Sequence, residues 1–120
     1  MKSRNTKQKE TIGSVMERFD HFFTAEELCE TVRKKDSKIG QATIYRFLKQ
    51  EIKNSNLNNY VCGRKSVYSR GSNNHNHFTC ERCGKKKHFS LKNIDFLQKE
   101  IGGKVKTVQI DIQGICEDCC

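Results

Sequence analysis

Cysteine is the residue of this chain best suited to chemistry, with seven copies in 120 residues. Four of them form a pattern. Cys80-Glu-Arg-Cys83-Gly and Cys116-Glu-Asp-Cys119 are two C-x2-C knuckles, with Cys83 and Cys116 33 positions apart. Two intervening residues let both sulfurs of a knuckle reach one ion, and two knuckles supply four thiolates for one tetrahedral zinc per subunit. Gly84 permits the tight turn that follows the first pair. A lone knuckle would leave a redox dithiol or a disulfide open, but the doubled spacing favours metal. Cys120 adjoins Cys119 and rivals it for the fourth ligand position. Four thiolates leave no open coordination position, so this zinc is expected to be structural.

The elements that must position these sulfurs come from a chain with little apolar material, 34% hydrophobic against 31% charged. Two lobes cut from 120 residues are each short of core, and a metal, a disulfide or a partner subunit must compensate. No stretch approaches the roughly 18 consecutive apolar residues of a membrane span, so an integral membrane protein is not expected, nor, on balance, a membrane partner. The segment Met1 to Glu10 is polar, unlike a secretory signal, so a cytoplasmic protein is expected. The net charge is +9, and +7 of it falls in residues 1–70. A field of that sign attracts a polyanion, nucleic acid first.

Residues 1–6 read as a loose basic arm. Ile12, Val15, Met16 and Phe19 recur at helical spacing, which predicts a helix from Lys7 to Phe19. Thr24-Ala25-Glu26-Glu27 is a capping box that opens a second helix reaching about Arg33. A third is expected from about Gln41 to Lys53, with Ile44, Phe47 and Leu48 on one side and Arg46, Lys49, Gln50 and Lys53 opposite. Helix, capped helix, short loop and basic-faced helix read as a helix-turn-helix arrangement or, equally, as a three-helix bundle with a solvated charged face. Two β-prone runs, 57–62 and 66–69, flank Gly63-Arg64-Lys65 as a wing whose tip can approach phosphates. Gly71-Ser72-Asn73-Asn74 reads as a linker. Beyond it, strands are expected at His77–Cys80 and Lys86–Phe89. Ser90 caps a helix from Leu91 to Ile101, with Leu91, Ile94, Leu97 and Ile101 inward. A last strand spans 107–112, with Val108, Ile110 and Ile112 on one face. The domain plan is a winged-helix domain over 1–70, a hinge over 71–77 and a zinc-containing dimerisation domain over 78–120. The fold class is α+β.

Three runs carry a resemblance: Ala42-Thr43-Ile44-Tyr45-Arg46-Phe47-Leu48, His75-x-His77-x-x-Cys80-x-x-Cys83-Gly84-Lys85, and Gly114-Ile115-Cys116-x-x-Cys119. In order and spacing they resemble the Fur (ferric uptake regulator) family of metal-responsive transcription regulators over nearly the whole chain. The resemblance implies a homodimer that binds a palindromic operator in double-stranded DNA, usually as a repressor. It implies that Tyr45 and Arg46 touch DNA, and that Arg4 and Lys7 of the arm reach the minor groove or the backbone. Thr43, Lys49 and Lys65 are further candidates.

The sequence departs from the family at the sensing site. Where the family has a His before the second helix, an acid at the wing end, a His-x-His pair and a later acid, this chain has Phe22, Ser69, His75, His77 and His88. The expected sensor is therefore altered, with His75, His77 and His88 as ligands and Cys62 or His21 as the fourth. Three imidazoles with a thiolate favour a regulatory zinc over manganese, with ferrous iron and nickel as the other choices. A further family site is read as absent. Its His, Asp and strand His are replaced by Asn74, Asn76 and a position near Val108, and Asp95 alone remains.

Three other functions compete. A peroxide- or redox-responsive regulator of the same family is disfavoured by the lost acids, although Cys29, Cys62 and Cys120 offer thiols. A zinc-ribbon RNA-binding protein fits the charge and the knuckles but not the winged helix. An enzyme is not expected: only a three-imidazole site would leave a coordination position open, and there are no paired carboxylates or phosphate loop.

Overall fold

A computed structural model describes residues 3–120. It divides into two compact units, the first ending at Gly71 and the second running Ser72–Cys120. Among the described residues, no helix is long and apolar enough to cross a membrane.

The first unit is a winged helix built from α1 (Arg4–Met16), β1 (Phe23–Thr24), α2 (Ala25–Lys35), α3 (Gln41–Lys53), β2 (Asn58–Cys62) and β3 (Lys65–Ser69). Its antiparallel sheet has the order β1-β3-β2. The core joins Ile12, Val15 and Met16 of α1 to Leu28 and Val32 of α2, Ile44 and Leu48 of α3, and Ile39, Leu57 and Phe23 from the connections and β1. The helical members of this set are residues that helical spacing places inward. The α2 cap forms as expected, with Thr24 Oγ1 accepting from the Glu27 amide at 3.2 Å. The α3 boundaries also match the expected ones. The wing closes through a two-residue turn, Gly63-Arg64, with Cys62 opposite Lys65 and Gly63 at φ +66°. A side chain at that φ is strained, which accounts for glycine there.

The start of α1 corrects the reading of a loose arm. Ser3 caps the helix, its Oγ accepting from the Thr6 amide at 3.2 Å. Arg4 and Lys7 therefore sit on the first two turns of α1, exposed, rather than on an extended arm. The arm's Met1 and Lys2 lie outside the described residues.

The second unit holds β4 (Asn76–Cys80), β5 (Lys86–Phe89), α4 (Asp95–Ile101) and β6 (Asp111–Gly114), in sheet order β5-β4-β6. β4 pairs antiparallel with β5 and parallel with β6. Two expectations change here. Residues 74–77 are paired backbone rather than hinge: Asn74 bridges to Val108, the His75 amide donates to the Val108 carbonyl, and the His77 amide donates to that of Ile110. α4 begins at Asp95, not Leu91, because the Leu91 amide and carbonyl are both bonded by the Asn74 side chain. Of the four residues expected inward, only Ile94 is buried, whereas Ile101 is 68% exposed. The last strand starts later than expected, at Asp111, and leaves Ile112 exposed.

Candidate metal centres

The first centre lies where the β4–β5 turn meets the chain after β6. Cys80 ends β4 and Cys83 lies in the turn, with Gly84 at φ +74° closing it. Cys116 and Cys119 follow β6. Their four sulfurs lie within 4.8 Å of one another. Cys83 and Cys116 Sγ are 3.8 Å apart. A tetrahedron with zinc–sulfur bonds of about 2.3 Å has edges of about 3.8 Å, so the cluster fits zinc. The amides of Cys83 and Cys116 point at the buried Cys80 Sγ, at 3.5 and 3.4 Å. These amides, that of Cys83 first, hold the Cys80 thiol down to about 6. Hydrogen bonding to Cys116, burial and the other sulfurs push Cys119 up to about 12. A zinc ion held by Cys80, Cys83, Cys116 and Cys119 would supply the positive charge that lets all four thiols ionise. Cys120 stays out of the cluster, its Sγ directed at the Ile115 carbonyl at 3.7 Å.

The second centre is built from alternation along β4. His75 and His77 project to one face, and antiparallel register sets His88 of β5 opposite His77. The ring centroids of His77 lie 4.7 Å from His75 and 4.6 Å from His88. The three imidazoles each offer a ligand nitrogen within 4.8 Å of the others. His75 is buried and His77 nearly so, whereas His88 is exposed. Burial, then the neighbouring charges of His77 and His88, lower the His75 pKa below its ordinary 6.5. Its neutral, metal-binding form is therefore favoured near neutral pH. Cys62 ends β2, in the first unit. His21 is engaged locally, with Nδ1 at 3.2 Å from Asp20 and Nε2 at 3.9 Å from Glu27. Among the described residues it belongs to no metal-capable group. Phe22 packs edge-on against Tyr60, and Ser69 is buried in β3.

On the opposite phase of β4 lie two residues whose role was not legible beforehand, Asn74 and Asn76, both buried. Asn76 Nδ2 donates to Asn74 Oδ1 at 2.9 Å and to the Phe89 carbonyl at 3.3 Å, while its Oδ1 accepts from the Ile110 amide at 3.0 Å. Asn74 in turn bonds both backbone groups of Leu91. These amides tie the two segments that carry the histidines, β4 and β5, to the chain entering β6. They occupy the place of the further family site, and among the described residues no other cluster with Asp95 forms. The signal in the sequence was the Asn-His-Asn-His alternation itself. Asn76→Ala is expected to leave buried groups unpaired at about 1–3 kcal/mol each. Amide exchange should accelerate throughout β4–β6. Fluorescence from Tyr45, Tyr60 and Tyr68, all in the first unit, should not change.

α3 carries most of the residues expected from the sequence to face DNA. Tyr45 is 41% exposed. Arg46 and Lys49 are exposed and Thr43 is half-buried, with Arg46 Nη2 donating to Thr43 Oγ1 at 3.2 Å. Thr43 and Arg46 border a groove of about 710 Å³ shared with Asn5 and Lys9 of α1. Lys65 is exposed beside the wing turn.

Residues 1–114 match the ferric uptake regulator family. The zinc uptake regulation protein of Mycobacterium tuberculosis is 31% identical, over 97% of this chain and 94% of its own length. The ferric uptake regulation protein of Haemophilus influenzae is 32% identical, over 94% of this chain and 82% of its own. Among solved structures, FurB of M. tuberculosis, a zinc uptake regulator, superposes with a TM-score of 0.56 at 28% identity, over 98% of this chain and 95% of that one. The Helicobacter pylori ferric uptake regulator superposes with a TM-score of 0.64 at 24% identity, over 97% of this chain and 84% of its own. The chain therefore belongs to the ferric uptake regulator family and is a metal-responsive, DNA-binding transcription regulator.

Proposed function

We propose that this regulator is a zinc-responsive repressor that acts in the cytoplasm as a homodimer on a palindromic operator. One observation carries the choice of metal: the three clustered ligands of the second centre are all imidazoles. Iron and manganese sites draw on carboxylate oxygen, whereas imidazole with thiolate suits zinc. His75, His77 and His88 hold the regulatory ion in this reading, and Cys62 of the wing supplies a fourth ligand. Cys80, Cys83, Cys116 and Cys119 hold a separate structural zinc. The apolar side chains left exposed on the second unit, Phe96, Ile101 and Ile112, are covered by the second copy. Two-fold symmetry then presents two α3 helices to successive major grooves, about 34 Å apart. Tyr45 and Arg46 read base edges, while Thr43, Lys49, Lys65, Arg4 and Lys7 engage the backbone.

The test is fluorescence anisotropy on a two-fold symmetric duplex selected from a random pool. The protein carries only its tightly held zinc, and zinc, anaerobic ferrous iron or manganese is then added. Zinc is expected to raise affinity at the lowest free concentration, and a response to iron or manganese without one to zinc would refute the assignment. In the same assay Arg46→Ala should cost about 1–3 kcal/mol, roughly a 5- to 150-fold loss. Lys65→Ala should weaken binding to all sequences alike and reduce the salt slope by about 1.

A further inference from the structure

We infer that Asp111 is the positioning residue of the histidine centre, fixing which nitrogen of His77 is offered to a metal. The inference rests on the reading of that centre as the metal sensor. The parallel register of β4 and β6 sets Asp111 beside His77. Asp111 Oδ1 lies 3.0 Å from His77 Nδ1. A carboxylate can only accept here, so Nδ1 carries the proton and Nε2 keeps its lone pair. Nε2 is the buried atom of that ring and has no hydrogen-bond partner. It is therefore left for a ligand, with the rings of His75 and His88 beside it.

The carboxylate is held in place from the backbone. The His77 amide donates to the Ile110 carbonyl at 2.9 Å, and the Ile110 amide donates to Asn76 Oδ1 at 3.0 Å. Asp111 itself is not one of the clustered ligand groups, and its side chain is 75% exposed against 13% for His77. It acts on the ion through the imidazole, as a carboxylate behind a metal-bound histidine does, and so raises ligand basicity without adding an oxygen to the coordination shell.

The experiment uses full-length protein retaining its four-cysteine zinc and compares Asp111→Ala, Asp111→Asn and His77→Ala. Zinc affinity of the removable site is measured by competition with a chromophoric chelator. The His77 tautomer is read by nitrogen-15 NMR of the metal-free centre. Asp111→Ala is expected to lower that affinity about 10- to 100-fold and to shift His77 away from the Nδ1–H form. Asp111→Asn keeps an acceptor and should fall between it and the unchanged chain. If His77→Ala loses the removable zinc while Asp111→Ala changes neither affinity nor tautomer, the positioning role is overturned and the sensor reading survives. If His77→Ala leaves the removable zinc in place, both fall. If Asp111→Ala removes the ion as completely as His77→Ala and X-ray absorption shows an oxygen ligand lost, Asp111 is a direct ligand and the inference is wrong.

Discussion

Cys83→Ser is expected to strip the tightly held zinc and unfold the second unit while the first stays folded. The reason is the scarcity of apolar burial beyond Gly71. Among the described residues, the buried apolar set there is Ile94 and Cys80, and α4 buries none of its residues. Ordering a residue costs about 1–2 kcal/mol of backbone entropy, which two buried side chains cannot offset. Structural zinc contributes apparent binding free energies of about 10–16 kcal/mol. Losing one thiolate removes most of that and leaves three sulfurs crowded together. Elemental analysis should find the tight zinc gone. Amide exchange should be fast from Ser72 onward and slow in α1–α3, whose core of Ile12, Leu28, Ile44 and Leu48 needs no metal. Cys120→Ser, outside the four-sulfur cluster, should keep the zinc. Stoichiometric zinc in Cys83→Ser, or its loss in Cys120→Ser, would overturn this assignment of ligands.

The second large effect concerns response rather than folding. The double variant His75→Ala plus His77→Ala is expected to keep its structural zinc and its melting behaviour, yet to bind operator in saturating zinc no better than without it. Coupling between effector and ligand sites is worth about 1–3 kcal/mol, so the loss should be about 5- to 150-fold in affinity. By reciprocity, operator DNA should tighten zinc binding by the same factor in the unchanged chain and not at all in the variant. Both quantities come from titrations in buffered zinc. Metal-dependent DNA binding that persists in the double variant would place the sensor elsewhere.

Much of this was legible in the chain because it depends on local spacing. The α2 capping box and the α3 periodicity each span a few residues and formed where expected. The four knuckle sulfurs lie together, while the wing turn, expected over Gly63-Arg64-Lys65, closed on Gly63-Arg64 with Lys65 already in β3. Short-range physics also started α1 at Ser3. The cap was there to be read, but basic residues at a terminus look like an arm. What stayed hidden depends on contacts across the sheet. The start of α4 is set by Asn74 bonding Leu91, 17 positions away. The partner of His77 is set by a parallel register across 34 positions. Such pairings follow from which strands meet, and no window along the chain contains both members.

The parallel pairing of β4 with β6 also governs how the protein is made. The first unit closes mainly through neighbouring helices and a hairpin, and low sequence separation favours rapid folding. The second unit must bring residues near position 113 back to β4, and the backbone link from Glu81 to Gly114 is among its closing contacts. That long closure carries an entropic cost before any contact rewards it. A zinc ion seated on the Cys80–Cys83 knuckle would act as a template, capturing the second knuckle and shortening the search. Zinc supply would then bear on how fast newly synthesised chains mature, as well as on their final stability. In a zinc-starved cell, fresh chains would accumulate with a finished winged helix and an open second unit. Such chains would be slow to form the two-fold arrangement that reads an operator.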